Sequence, residues 1–356
     1  MNQVRIDLYS DTCTRPTPGM RKAMAEAEVG NEQAKEDPTT NRLQERVAEL
    51  LGKEDAVFLP SGSMCNAIAY RVHCQQGDEV ICDKTAHVIH YEVGGPAALS
   101  GVMIRPMDGV NGIFTAAQAA AAVRPVNRNH HPRTRLISIE QTSMGGGGTI
   151  WPQETIRALG EVAKKNRLAY HMDGARLMNA AIGSGVKAKD IAAPVDSTWL
   201  DLTKGLGCPV GAVLAGSKDF IAQAWRWKHQ FGGAMRQSGI IAAAGIYALD
   251  HNIERLAEDH ANAKHLATLL ADIPGIKVDP KSIQTNIVFY DVSGTGVPAP
   301  ELHKALMAQG IRIGGARDAA IMRSLTHLDV SKKQIEEAVQ ALAQAVKDAR
   351  PKAKAS

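Results

Sequence analysis

Short apolar runs recur along the chain at 56–59, 79–82, 102–106, 136–140, 168–172, 197–202 and 210–214, separated by stretches of helical spacing. Runs of this length read as buried strands, and their alternation with helices predicts a largely parallel sheet sandwiched between helical layers. The Ala-rich segment 115–123 predicts a helix, and 125–134 a polar loop. From about 240 to 270 the pattern turns helical, as expected of a long connection into a smaller C-terminal domain. That domain is expected to hold strands at 276–278 and 286–290. Its last helix should start at Ser331, where Ser-x-x-Gln forms a capping box and Ile335, Val339, Leu342 and Val346 repeat at helical spacing. The division expected is an N-terminal arm at 1–18, a large domain at 19–245 and a small α/β domain at 246–356, with no internal repeat.

The chain has 356 residues with 44% apolar content, enough for two domains that each bury a core. The net charge of +4 is mild, and part of it lies in the Lys- and Arg-bearing tail 347–356. Charge there solvates a chain end rather than marking a nucleic-acid surface. Five cysteines (Cys13, Cys65, Cys74, Cys82, Cys208) show neither paired spacing nor Cys-x-x-Cys, which argues against a disulfide framework or a zinc site. No apolar run reaches the roughly 20 residues of a membrane span, and residues 1–7 carry no apolar signal segment. A soluble cytoplasmic protein is expected, with no metal, membrane or nucleic-acid partner.

The chemistry sits at strand ends. The run 168–172 leads into Asp173-Gly174-Ala175-Arg176, and 197–202 into Thr203-Lys204-Gly205-Leu206-Gly207. Each strand thus delivers one charged group at its carboxyl end, the edge where open α/β sheets bind ligands. A carboxylate and an amine facing one crevice are the groups that pyridoxal 5'-phosphate (PLP) needs. The amine condenses with its aldehyde, and the carboxylate pairs with the ring nitrogen, so that the ring accepts electrons. A third element fits the same cofactor. The strand 55–59 runs into Pro60-Ser61-Gly62-Ser63-Met64-Cys65-Asn66, which opens a helix through Ala67, Ile68, Tyr70 and Val72. A small-residue turn at a helix start offers N–H groups and a positive dipole end to a phosphate, with Gly62 and Ser63 the expected donors. A nicotinamide site is not expected, because no Gly-x-Gly-x-x-Gly joins an early strand to a helix.

Further motifs stand in order around these: Asp7-Leu8-Tyr9-Ser10-Asp11-Thr12, Glu36-Asp37-Pro38-Thr39, Ala86-His87 with Tyr91-Glu92, Met235-Arg236-Gln237, and Met322-Arg323-Ser324-Leu325-Thr326-His327. Together they resemble the L-threonine aldolases and related β-eliminating lyases, PLP enzymes of the aspartate-aminotransferase-like fold (fold type I), from about residue 5 to about 345. The resemblance implies a large PLP-binding domain with a mainly parallel sheet between helices, plus a smaller C-terminal α/β domain. It implies Lys204, Asp173 and His87 as catalytic residues, the last stacking on the cofactor ring. A guanidinium fork suits a carboxylate, so Arg176 and Arg323, with Ser10, would hold the carboxylate of an amino acid substrate. Arg236 would lie near the cofactor phosphate, from a neighbouring subunit, in a homodimer that pairs into a tetramer.

The reaction implied is cleavage of the Cα–Cβ bond of a β-hydroxy-α-amino acid (L-threonine, L-allo-threonine or a bulkier analogue such as phenylserine) to glycine and an aldehyde. The alternative is a β-eliminating lyase or dehydratase that yields a 2-keto acid and ammonia, and the product separates the two. Two departures bear on the substrate. Family members usually carry a His that contacts the substrate hydroxyl where this chain has Ser143, and a Tyr-Gly where it has Ala34-Lys35. Serine is shorter and is no base near neutral pH, so the pocket beside Ser143 is expected to be larger or of different polarity. The glycine run 145–148 is expected to add freedom to the loop.

Overall fold

The computed structural model describes residues 4–314 and 319–349; the expected basic tail lies, from residue 350 on, outside the described residues. The chain divides into two compact units, Pro16–Glu254, and Met1–Arg15 with Arg255–Ser356. Strand β1 (Ile6–Leu8) opens the chain and belongs to the latter.

The larger unit begins with α1 (Pro18–Ala25) and α2 (Pro38–Leu51). It continues through β2 (Asp55–Leu59), α3 (Gly62–His73), β3 (Glu79–Asp83), α4 (His87–His90), α5 (Gly95–Ser100) and β4 (Met103–Met107). Then follow α6 (Ala116–Ala122), β5 (Thr134–Glu140), α7 (Gln153–Asn166), β6 (Ala169–Asp173), α8 (Leu177–Ser184), α9 (Ala188–Ala192) and β7 (Ser197–Asp201). It ends with β8 (Ala212–Gly216), α10 (Lys218–Gln230) and α11 (Gly239–His251). The strands form one sheet in the order β2-β8-β7-β6-β5-β3-β4. Strands β4, β3, β5, β6 and β7 are parallel, and β8 runs against both β7 and β2. The carboxyl ends of β2, β3, β5, β6 and β7 therefore open on one edge.

Each of the seven runs expected as a strand forms one, with ends within two residues, because apolar residues on both faces are what a sheet covered on both sides requires. Every residue of β3, β7 and β8 is buried. The helical stretch at 240–270 is two helices, α11 and α12 (Leu256–Ala271). At the break Asn252 donates its side-chain amide to the Leu206 carbonyl at 2.7 Å. Helix α11 packs against α1 and α2, and its buried face is Gly239, Ala242, Ala243, Ala244, Gly245 and Ala248, small enough for close approach. The unit boundary accordingly falls after Glu254 rather than at 245.

In the smaller unit β1 pairs in parallel with β10 (Ile311–Ile313), and β9 (Ile287–Asp291) pairs antiparallel with β11 (Ile321–Leu325). Helices α12, α13 (Ala299–Met307) and α14 (Lys332–Ala349) complete it. Ile6 and Leu8 are buried in the same core as Leu266, Tyr290, Leu306 and Met322. Asp7 pairs with Arg312. The segment 4–15 is thus tied into this unit through Ile6 and Leu8 rather than standing as a separate arm. The capping box forms as expected: Ser331 N donates to Gln334 Oε1 at 2.9 Å, and Gln334 N to Ser331 Oγ at 3.3 Å. The strand expected at 276–278 is reduced to a single bridge between Lys277 and Asp291. Gly275, at φ +94°, and Pro280 stop extended pairing on either side.

In the larger unit one ion pair is closed off from water. Glu32 meets Lys228 with both side chains essentially inaccessible. The other carboxylate oxygen accepts Met235 N at 2.9 Å, and Glu32 N donates to the Arg236 carbonyl at 2.9 Å. Burial lowers the Lys228 pKa, and Glu32 opposes that shift. Glu32→Ala would strand the ammonium and is expected to cost about 3–5 kcal/mol of unfolding free energy. Glu32→Leu combined with Lys228→Met should recover most of the loss. A urea titration in which Glu32→Ala costs under about 1 kcal/mol, the range of an exposed pair, would show that the pair does not fasten the segment.

Candidate active site

Along the carboxyl edge of the sheet, β6 ends in Asp173 and β7 in Asp201, three residues before Lys204. Strand β2 leads into α3, β3 into α4 with His87 as its first residue, and β5 ends in Glu140, directly opposite Asp173 in register. The chain must leave β6 sharply. A Cβ on Gly174 would lie 1.7 Å from the Trp199 carbonyl oxygen, so glycine alone allows the strands to come this close.

Asp173 is 5% exposed. Its Oδ2 accepts from Asn66 Nδ2 at 2.8 Å and its Oδ1 from Ala175 N at 3.0 Å. Lys204 Nζ lies 2.5 Å from Asp201 Oδ2, while Asp201 Oδ1 accepts from Thr203 N and Thr203 Oγ1, each at 2.8 Å. The same ammonium stands 5.7 Å from the centroid of the Trp199 ring. Trp199 also donates Nε1–H to Asn66 Oδ1 at 2.8 Å, and a Cβ on Gly62 would lie 2.3 Å from its Cη2. One buried indole therefore adjoins the start of α3, the support of Asp173 and the lysine.

His87 Nδ1 lies 2.9 Å from Glu92 Oε1, an oxygen that also accepts from Asn66 Nδ2 at 2.8 Å. Burial alone would lower the His87 pKa. The Glu92 hydrogen bond and the charges of Asp173, Glu92 and Glu140 outweigh it and hold the imidazole above its ordinary value. Glu140 accepts the backbone N–H groups of His87 at 3.0 Å and Met144 at 3.1 Å. Burial, then the nearby Asp173 charge, push its carboxyl up to about 7, against the pull of those two donors.

This donor set fits PLP. Asp173 presents a carboxylate at the strand end, Lys204 an amine at the neighbouring strand end, and α3 its N-terminus. Ser61 caps that helix, its Oγ accepting from Met64 N at 3.3 Å and its carbonyl from Cys65 N at 3.3 Å. The N–H groups of Gly62 and Ser63 precede the first intrahelical bond and are left for an anion.

The other expected residues are placed as follows. Arg176 is buried at the N-cap of α8, its N–H donating to the Gln141 carbonyl at 2.9 Å. Arg236 is exposed, with its carbonyl held by Glu32. Ser10 and Arg323 belong to the smaller unit. Ser10 Oγ accepts from Thr12 N at 3.2 Å and Thr12 Oγ1 at 2.8 Å, and Arg323 lies in β11 opposite Phe289. Ser143 is buried, its Oγ accepting from Gly146 N at 3.2 Å. The glycine run beside it does not loosen the loop. A Cβ on Gly145 would sit 2.6 Å from Thr85 Cβ, one on Gly146 1.8 Å from the Asn111 carbonyl, and one on Gly112 1.8 Å from Ser143 Oγ. These glycines let three loops interlock. Sequence reasoning missed the parts played by Asn66, Glu92, Glu140, Trp199 and Asp201; only their contacts reveal them.

Residues 7–293 match the model of the beta-eliminating lyase family. The low specificity L-threonine aldolase of Escherichia coli strain K12 is 41% identical over 333 residues, 93% of this chain and 96% of its own. The low-specificity L-threonine aldolase 1 of Arabidopsis thaliana is 41% identical over 310 residues, 86% of this chain and 87% of its own. Among solved structures, a Leishmania major threonine aldolase superposes with a TM-score of 0.80 at 21% identity, covering 96% of this chain and 99% of that one, which shows a shared fold. The chain belongs to the beta-eliminating lyase family, in which the low-specificity L-threonine aldolases are its relatives.

Proposed function

We propose that this chain is a PLP-dependent aldolase that cleaves the Cα–Cβ bond of β-hydroxy-α-amino acids, among them L-threonine, L-allo-threonine and bulkier analogues such as phenylserine, to give glycine and an aldehyde. The observation that carries this reading is the convergence of Asp173, Lys204 and the start of α3 around Trp199 at one sheet edge. Relatives that span most of the chain and bear the threonine aldolase name support it.

Bound PLP supplies an electron sink conjugated to the substrate α-carbon. The protein does the rest. Gly62 and Ser63 hold the phosphate with N–H groups and the helix dipole. Asp173 would pair with the ring nitrogen. Lys204 would be the point of attachment, and Asp201 holds its ammonium. Arg176 is the larger unit's cation for the substrate carboxylate. His87 acts on the β-hydroxyl proton. Because Nδ1–H donates to the Glu92 carboxylate, Nε2 is the basic nitrogen of the neutral ring. Glu140, by accepting the N–H groups of His87 and Met144, fixes the two loops that carry His87 and Ser143.

The assembly proposed is a homodimer with active sites at its interface, pairing into a tetramer; an exposed Arg236 on a fixed backbone suits contact with a neighbouring copy. A cytoplasmic setting fits five unbridged cysteines. Among the described residues no helix is long and apolar enough to cross a membrane.

The protein mixed with PLP should show the visible absorption of the lysine-bound cofactor and release glycine and aldehyde from L-threonine, L-allo-threonine or phenylserine. Lys204→Ala should lose both. A 2-keto acid in place of glycine would transfer the reading to β-elimination, and no visible band after PLP addition would sink both. His87→Asn is expected to lower kcat about 10²–10⁴-fold, the usual worth of a general base. In Glu92→Gln the Nδ1–H keeps only a neutral acceptor, and one of the charges that raise the His87 pKa is gone. The rise of kcat/KM with pH, which tracks the neutral imidazole, should therefore move to lower pH; a profile that stays in place would dismiss His87 as the base.

A further inference from the structure

Asp173 is the last acceptor of a buried chain of hydrogen bonds that all run in one sense. Asn66, 2% exposed on α3, uses both ends of its amide. Trp199 Nε1 carries a hydrogen and can only donate, so the Asn66 atom facing it at 2.8 Å is fixed as Oδ1. Nδ2 must then point to the carboxylates, Asp173 Oδ2 and Glu92 Oε1, each at 2.8 Å. The second partner of Oδ1 is His171 Nε2 at 3.3 Å, which is therefore the protonated nitrogen of that ring. His171 Nδ1 in turn accepts from Ser197 Oγ at 2.8 Å, and Ser197 Oγ accepts from His73 Nε2 at 2.7 Å. Burial pushes the His171 pKa down to about 3 and that of His73 to about 4, so both rings are neutral links. Donation thus passes from His73 through Ser197, His171 and Asn66 to Asp173. Bonds aligned this way polarise one another and strengthen the last.

We infer that Asn66 is a positioning residue that aims the Asp173 carboxylate at the cofactor ring nitrogen and, through Glu92, orients His87 from the same amide group. This rests on the reading of Asp173 as the partner of that nitrogen. The choice of side chain follows from the task. A cation in this place would compete with the pyridinium for the carboxylate charge, whereas a neutral amide fixes the carboxylate and leaves its charge available. The side chain also spans two carboxylates with two hydrogens on one nitrogen, which a hydroxyl cannot do.

The test titrates apo-protein with PLP and takes the dissociation constant from cofactor absorbance. Asn66→Ala should weaken PLP about tenfold or more, the worth of one hydrogen bond to a buried charge. In an Asp173→Ala background the same change should cost less than about twofold, because its effect passes through that carboxylate. Equal factors in both backgrounds would mean that Asn66 only builds the fold, and unchanged affinity in the single variant would remove the role. The underlying reading fails separately: wild type that binds no PLP, or Asp173→Ala that binds as wild type does, overturns the place of Asp173 whatever Asn66 does. If Asn66→Ala does not fold by circular dichroism, Asn66→Leu, which matches the side chain in shape and removes its hydrogens without adding a charge beside Asp173 and Glu92, carries the same two expectations.

Discussion

A carboxylate held almost out of water at a strand end sets the conditions for everything around it. Each of the Asp173 oxygens receives an N–H group there, one from Asn66 and one from the backbone at Ala175. Its neighbour in the β5–β6 register, Glu140, is also buried, and like charges this near cannot both be comfortable. Glu140 is the one that yields: its carboxyl is pushed up to about 7, and it serves as an acceptor for two backbone N–H groups. The His87 pKa is raised as well: burial would lower it, but the Glu92 hydrogen bond and the three carboxylates around the half-exposed imidazole outweigh that. A single pairing of strands therefore sets Glu140 beside Asp173, makes it the loop clamp, and contributes to how basic the histidine is.

Much of this could be read before any coordinates. The sheet was legible because its strands are buried on both faces, which turns them into short apolar runs with clear ends. The candidate pair could be picked out because Asp173 and Lys204 stand at the ends of two such runs. Strands β1, β10 and β11 were not foreseen: β1 and β10 have three residues each, too few for a pattern, and β11 interleaves Met322 and Leu325 with Arg323 and Ser324. The break between α11 and α12 depends on Asn252 reaching a carbonyl 46 residues away, which no local pattern contains. Asn66 and Trp199 were invisible in a different way. One stands in an ordinary helical stretch and the other in an ordinary apolar strand, and only the fold shows that they meet.

The wall of loops beside Ser143 shows how a composition signal can mislead. Four consecutive glycines suggest a mobile loop when taken alone. In place, Gly145 and Gly146 are the sites where the loop lies against Thr85 and the Asn111 carbonyl, with Gly112 closing on Ser143 from the other side. The missing side chains serve contact rather than motion. A larger residue at 143 would therefore have to displace backbone, so Ser143 and the small residues around it belong together.

The sheet order carries a consequence for how the chain is made. Strand β2, which leads into the turn proposed to bind phosphate, has β8 as its one neighbour in the sheet among the described residues, and the two are separated by about 150 residues of chain. Glu32 likewise waits for Lys228. On a ribosome, the front of this protein would emerge with a strand that has nothing to pair with and a buried-type acid without its base, until residues past 228 have been added. Closing such distant pairs is the slow, entropically opposed kind of folding step. The turn at the start of α3 and Lys204 would thus come together late, although Gly62, His87, Asp173 and Lys204 all precede β8 in the chain.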